Sequence, residues 1–217
     1  MTERANPPIS ARKAPKQARS AQLVADILVA AARILGEEGA RRFTAARVAE
    51  KAGVSIGSLY QYFPNKAAIL FRLQSDEWQQ TGAMLRRLLE DRTRLPLDRL
   101  RAAVHAFVRS ECEEAAMRTA LADAAPLYRD APEAQEPRRA GKRTLQAFMA
   151  EALPDASDAT RDLAADLVKM TMSEVGKAIS ERGCGPAEAE RYASALADML
   201  CGYLAGLGAA ASAGECD

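Results

Sequence analysis

The residues best suited to chemistry lie close together, in the run Phe43 to Lys66, FTAARVAEKAGVSIGSLYQYFPNK. Ser55, Ile56, Gly57 and Ser58 open a short helical run with compact side chains. Such an end can press close to a polyanion or to base edges, and its free N–H groups favour phosphate. Tyr60, Gln61 and Tyr62 add hydroxyl and amide groups that can bond to bases or to a sugar–phosphate backbone. Lys66 supplies a cation a few residues further on. This is a chemistry of recognition: the set holds no nucleophile beside a base and no paired carboxylates.

Other chemistries find little material. The one histidine, His105, reads as a partly buried, satisfied side chain. Cys112, Cys184, Cys201 and Cys216 are scattered without CxxC spacing, which argues against a disulfide framework and a zinc site. There is no GxSxG and no phosphate-cradling glycine loop, so neither an enzyme, a metal nor a cofactor is expected. The polar N-terminus carries Pro7, Pro8 and Pro15 rather than a signal peptide's apolar run. The most apolar stretch, Leu196 to Ala213, is interrupted by Asp198 and falls short of the ~20 apolar residues of a spanning helix. A cytoplasmic chain with no membrane partner is the expectation.

What must position the recognition residues is a pair of short helices crossing at a steep angle. Ala49 provides the small residue at the crossing, and Gly53, four positions on, provides positive φ for the reversal. Thr44 stands where an N-cap belongs ahead of Ala45 to Ala52, and Ser55 caps Ile56 to Tyr62. Val48, Ala52, Val54 and Leu59 supply apolar positions that hold both helices to a preceding one. That helix shows its stripe at Leu23, Ile27, Ala30 or Ala31, and Ile34, with Gly39 as its stop. The spacing is that of a helix-turn-helix over 44–63.

Charge is divided along the chain. Residues 1–66 hold eleven Lys/Arg against five acids, a net +6, which leaves −5 for the remainder of a chain whose total is +1. A basic first third favours a polyanionic partner there. Residues 1–18 carry three prolines, four cations and almost no large apolar side chain, and read as a disordered basic arm. Residues 19–66 read as the DNA-binding domain and 67–217 as a larger helical domain, for which dimerisation is read from its last two helices and effector binding only from a family resemblance. Aromatics are only 5% of residues and no Val/Ile/Thr-rich alternation occurs, so the whole chain reads as all-α.

Helices follow from Lys66 through Leu89, from Leu97, from about Glu111 to Ala124, around Leu145 to Leu153, from Asp158 to Arg182, and from Pro186 to about Ala211. Asp91 to Pro96 reads as a loop, and another carries Pro126, Pro132 and Pro137. The penultimate helix has two apolar faces, Leu163, Leu167, Met170 and Ala178 on one and Ala164, Val168, Met172, Val175 and Ile179 on the other. In the last helix Tyr192, Leu196, Met199, Tyr203 and Leu207 recur, and Gly202 and Gly206 allow close helix approach. Two faces fit burial against the domain and against a second subunit; a buried core helix is the competing reading.

The decapeptide Gly57-Ser58-Leu59-Tyr60-Gln61-Tyr62-Phe63-Pro64-Asn65-Lys66 resembles the G-x-L-Y-x-[YH]-F-x-x-K signature of the TetR family of transcriptional regulators. Ile27 to Gly39 resembles that family's first helix, and the likeness is specific over about Gln22 to Leu73. Beyond that it is one of architecture. The resemblance implies a homodimer that binds a palindromic operator in double-stranded DNA, acts as a repressor, and is released when a small-molecule effector binds among the middle helices. Carried over by position, the DNA contacts are Thr44, Arg47, Ser55, Ile56, Gly57, Ser58, Tyr60, Gln61, Tyr62 and Lys66. Ala45 and Ala46 stand where several family members have polar or basic groups, which leaves Arg47 as the reader there.

Candidate pocket liners are Trp78, Met84, His105, Phe107, Met117, Tyr128, Phe148 and Met149. Few charges fall inside the apolar faces of the middle helices, which favours a largely apolar effector. The dimer interface is expected at Leu167, Met170, Met172, Val175, Ile179, Leu196, Met199, Leu200, Tyr203 and Leu207. The alternatives are a sequence-neutral, architectural DNA binder, a module that has lost DNA recognition, and, more remotely, an enzyme.

Overall fold

The computed structural model describes residues 18–124 and 135–209. Among the described residues there are nine helices and no strands: α1 (Ala18–Arg42), α2 (Ala45–Lys51), α3 (Ile56–Tyr62), α4 (Lys66–Leu89), α5 (Pro96–Glu113), α6 (Ala115–Ala124), α7 (Gln135–Ala152), α8 (Asp158–Glu181) and α9 (Pro186–Gly206). The expected all-α class is what the chain adopts. The proposed basic arm, apart from Ala18, lies outside the described residues.

Local signals account for most boundaries. Gly39, at φ 75°, interrupts α1, and the chain makes one more turn to Arg42. Pro96 and Pro186 stand in the first turns of α5 and α9, where a missing N–H breaks no helical bond. Three expectations are corrected. The helix expected from Glu111 begins at Ala115, because α5 runs on to Glu113 and Glu114 leaves helical geometry at φ −108°, ψ 15°. Pro137, expected in a loop, falls within the first turn of α7, which such a residue tolerates. The last helix stops at Gly206 rather than near Ala211, and Gly208 follows at φ 103°.

The chain divides into two compact units. One holds the residues through Trp78 together with the segment from Ala116 that contains α6; the other holds Gln79–Ala115 and the residues from Glu136 onward. The division therefore falls within α4, not at its start, and α6 belongs with the N-terminal helices. In the first unit Val24, Ile27, Ala31, Ile34 and Leu35 of α1 form a floor on which Val48, Ala49, Leu59, Phe63 and Leu70 pack. Leu121 of α6 enters the same core and is fully buried, and burial of a leucine contributes roughly 1.5–3 kcal/mol. Beside it Arg118 reaches Glu77 at 2.7 Å, both side chains largely withdrawn from water.

In the second unit α5 is central, with Leu100, Val104 and Val108 buried among α7, α8 and α9. Along α9 it runs antiparallel: Cys201 Sγ lies 3.5 Å from the Leu97 carbonyl, Arg101 meets Asp198 at 2.6 Å, and His105 meets Glu190 at 2.8 Å. Against α8 it comes very close at Gly176, where a Cβ would stand 2.6 Å from Cε1 of Phe107. Only glycine permits that approach without displacing the ring. Arg99, 1% exposed, donates to the Leu89 carbonyl at 2.8 Å and to Glu151 of α7 at 2.6 Å, with its guanidinium over the Phe148 ring. It thus satisfies a carbonyl at the C-terminal end of α4 that no helical N–H can reach.

Candidate nucleic-acid interface

The short helices α2 and α3 are set by their caps. Thr44, in extended geometry, accepts from the Arg47 N–H at 3.3 Å, and Ser55 accepts from the Ser58 N–H at 3.0 Å. Between them Gly53 takes φ 67°, and the Val54 N–H returns to the Ala49 carbonyl at 2.9 Å. A residue with a Cβ would be strained at that φ, so the reversal depends on glycine. Leu59 and Phe63 then fix the inner side of α3 in the core.

That fixing decides what α3 shows to water. Ser55, Ile56, Gly57, Tyr60 and Gln61 are exposed, and Ser58 is half-buried against its own cap. Thr44, Ala46 and Arg47 are the exposed residues at the start of α2. Nothing large stands beside Gly57: the nearest atom to a Cβ built there is Ser55 Oγ at 3.8 Å. The outer side of α3 is therefore a low ridge carrying two larger side chains, Ile56 and Tyr60, one turn apart, with Gln61 alongside.

Three of the sequence-derived contact residues make contacts within their own unit. Tyr62 is packed into the core of the unit at 8% exposure, so its ring supports α3 from beneath. Lys66 donates to the Ala40 carbonyl at 3.2 Å and lies 6.0 Å from the centroid of the Phe43 ring, tying the start of α4 to the end of α1. Arg47 pairs with Glu38 at 2.6 Å while remaining nearly half exposed. Arg33 and Lys51 meet Glu37 at 2.8 and 3.9 Å, so part of the basic charge of this unit is balanced within it. Arg41 and Arg42 stand exposed at the end of α1.

Asn65 was missed by the sequence reading. Its Oδ1 accepts from the Ala68 N–H at 2.9 Å and caps α4. An asparagine directly before a helical run is a recognisable N-cap signal. The Glu77–Arg118 pair and the core role of α6 were also missed, and neither has a local sequence signal.

The candidate pocket residues that are described are distributed over both units. Trp78 and Met117 pack at the edge of the first unit's core. Phe107, Phe148 and Met149 are core residues of the second unit, the first against Gly176 and the second under Arg99. His105 is held by Glu190 on the surface between α5 and α9, and Met84 is half-buried on α4. Tyr128 lies outside the described residues. Burial pushes the thiols of Cys112, Cys184 and Cys201 up, so they stay protonated near neutrality; Cys216 lies outside the described residues. Among the described residues there is no cluster of His, Cys, Asp or Glu able to hold a metal, and no helix long and apolar enough to cross a membrane.

The two faces of α8 separate cleanly. Ala164, Val168, Met172 and Ile179 face the core of their own unit, whereas Leu163 and Met170 are 58% and 57% exposed. On α9, Leu196 and Leu200 are buried in the same core, while Met199 is 54% exposed and Gly202 and Gly206 open onto free space. This corrects part of the expected dimer set. Met172, Ile179, Leu196 and Leu200 have almost no surface left to offer another subunit. Leu167, Val175, Tyr203 and Leu207 are half-buried, and Met170 and Met199 retain exposed apolar surface.

An all-α chain with a capped helix-turn-helix on a helical floor, followed by a larger helical unit, is the architecture of a helix-turn-helix DNA-binding regulator. Residues 27–73 match the family model "Bacterial regulatory proteins, tetR family", and residues 95–207 match "Tetracyclin repressor-like, C-terminal domain". The chain belongs to the TetR family of transcriptional regulators. No curated protein sequence matches it. Its fold is similar to that of the fatty acid degradation regulator FadR from Bacillus halodurans, at 17% identity and a TM-score of 0.64, covering 88% of this chain and 96% of that one. GusR of Salmonella enterica is similar at 20% identity and a TM-score of 0.67, covering 88% and 100%. SmeT, the repressor of the Stenotrophomonas maltophilia multidrug efflux pump SmeDEF, is similar at 21% identity and a TM-score of 0.62, covering 83% and 89%; it is also described in a complex with triclosan.

Proposed function

We propose that the chain is a cytoplasmic transcriptional repressor that binds an inverted-repeat operator as a homodimer and is released by a small molecule. The observation that carries this reading is the outer side of α3. Its inner side is locked by Leu59, Tyr62 and Phe63, while Ser55, Ile56, Gly57, Tyr60 and Gln61 stand clear of the protein. A helix presented in this way fits the major groove, where donors, acceptors and methyl groups distinguish base pairs. Tyr60 and Gln61 provide donors, Thr44 and Arg47 contact the groove edge from α2, and Arg41 and Arg42 add phosphate attraction. Tyr62 and Lys66 act as supports for this surface.

Dimerisation through α8 and α9 is supported by Leu163, Met170 and Met199, large apolar side chains left exposed on these two helices, and by the open glycines of α9. A two-fold dimer places two α3 helices so that half-sites repeat about one helical turn apart or a small multiple of it. A small-molecule effector is supported by the similarity to SmeT, which is described with triclosan. The test is selection of binding sites from random duplex DNA at near-physiological salt. An enriched inverted repeat is expected; no enrichment from folded, dimeric protein would contradict the reading.

A further inference from the structure

We propose that Ile56 reads the 5-methyl group of a thymine in each operator half-site. This rests on the operator-binding reading above. Among the described residues of the N-terminal unit, the exposed large hydrophobic side chains are Val29, Ile56 and Tyr60. Two of the three therefore fall on the seven-residue α3, four positions apart and on one side of it. A single exposed isoleucine is ordinary on a protein surface. An isoleucine at 42% exposure on the ridge that meets the groove is different, because a duplex offers it a narrow choice of partners.

Apart from the small C5–H of cytosine, every other feature of a base pair's major-groove edge is a hydrogen-bond donor or acceptor, and an aliphatic side chain over any of these leaves that group without water or partner. The thymine methyl is the apolar exception. Contact with it removes apolar surface on both sides from water, so Ile56 favours thymine and disfavours the other bases by the same placement.

The surroundings allow the contact. Gly57 follows with no side chain, and its Cβ position is open except for Ser55 Oγ at 3.8 Å, so the position next to Ile56 adds no bulk to the ridge. Ser55 and Ser58 are turned to each other, Oγ to Oγ at 2.8 Å, and the Ser58 N–H is already bonded to Ser55. The Ser55 and Ser58 hydroxyls on either side of Ile56 are thus engaged with each other in the cap.

The proposal is tested by removing only the methyl. With the operator selected from random duplexes, each thymine is replaced in turn by deoxyuridine in both half-sites, and affinity is measured at fixed salt. One thymine position per half-site should show a loss of about fourfold, the worth of one buried methyl, or roughly fifteenfold for the two together. The loss at that position should vanish in Ile56→Ala, which binds thymine and uracil duplexes alike and, because the side chain is exposed, keeps the melting temperature of the parent. An operator in which no thymine is sensitive overturns the proposal and leaves operator binding intact. A sensitive thymine whose penalty survives in Ile56→Ala also overturns it and assigns the methyl to another residue. Failure of any sequence to enrich overturns the operator reading and this proposal together.

Discussion

Replacing Arg99 with methionine should destabilise the protein by about 2–4 kcal/mol. The guanidinium is 1% exposed and makes three contacts: the Leu89 carbonyl at 2.8 Å, Glu151 at 2.6 Å, and the Phe148 ring at 5.6 Å to its centroid. Methionine fills much of the same volume but leaves the carbonyl at the end of α4 without a donor, a cost of roughly 1–3 kcal/mol for a buried group. Loss of the ring contact adds about 0.5–1 kcal/mol. Glu151 is 38% exposed and rehydrates, so the charged pair contributes less than a fully buried one would on losing a partner. The relief of no longer burying a cation offsets part of the rest. For a chain of this size the melting temperature should fall by on the order of 10 °C. Urea denaturation followed by circular dichroism, at one fixed protomer concentration, measures it. A variant within about 0.5 kcal/mol of the parent would refute the reasoning and show that desolvation cancels the contacts.

Acid provides a second handle on the same pair. The hydrogen bond from Arg99 holds the Glu151 carboxyl below its ordinary range, with the charges of Arg99 and Arg92 assisting against desolvation. A carboxylate whose folded pKa is depressed contributes stability that is present above its unfolded value of about 4.3 and is lost as pH falls through the folded one. Glu151→Gln should therefore be less stable than the parent at pH 6, and the difference should shrink as pH falls below the unfolded value and close once it is below the depressed folded one. Tyr60→Phe should weaken operator binding by about 1–3 kcal/mol with an unchanged melting temperature, whereas Tyr62→Ala should lose about 3 kcal/mol of stability first; gel shift and thermal melting separate them. Ser55→Ala removes the α3 cap and should cost about 1 kcal/mol of stability together with operator affinity. Met170→Asp combined with Met199→Asp should give a folded monomer by sedimentation; a persistent dimer would place the interface elsewhere.

The helix-turn-helix was legible because its determinants are local. Thr44 and Ser55 cap helices that begin one residue later, and the need for positive φ at Gly53 is a property of that residue alone. The two faces of α8 were legible as periodicities, but periodicity does not say which face turns inward. That is settled by α5, which brings Phe107 against Gly176 and so draws Met172 and Ile179 to the core. The same limit applies to Tyr60 and Tyr62, chemically identical and two residues apart, of which only the floor formed by α1 buries one. The bond of Lys66 to the carbonyl of Ala40, twenty-six positions earlier, is likewise not legible from its neighbours in the sequence. Arg118 and Leu121 carry no mark in the sequence of their membership in the N-terminal unit, because Glu77 and the α1 floor lie far from them along the chain.

The proposed function turns on sequence discrimination by the outer side of α3. Its most direct test is the ratio of affinities for the selected operator and a scrambled duplex of equal length, at one salt concentration, for the parent and for Ile56→Ala combined with Gln61→Ala. The parent should favour the operator by roughly 10³-fold or more, and the variant should lose most of that preference while keeping its affinity for scrambled DNA. A parent ratio near one, or a preference unchanged in the variant, would contradict the account.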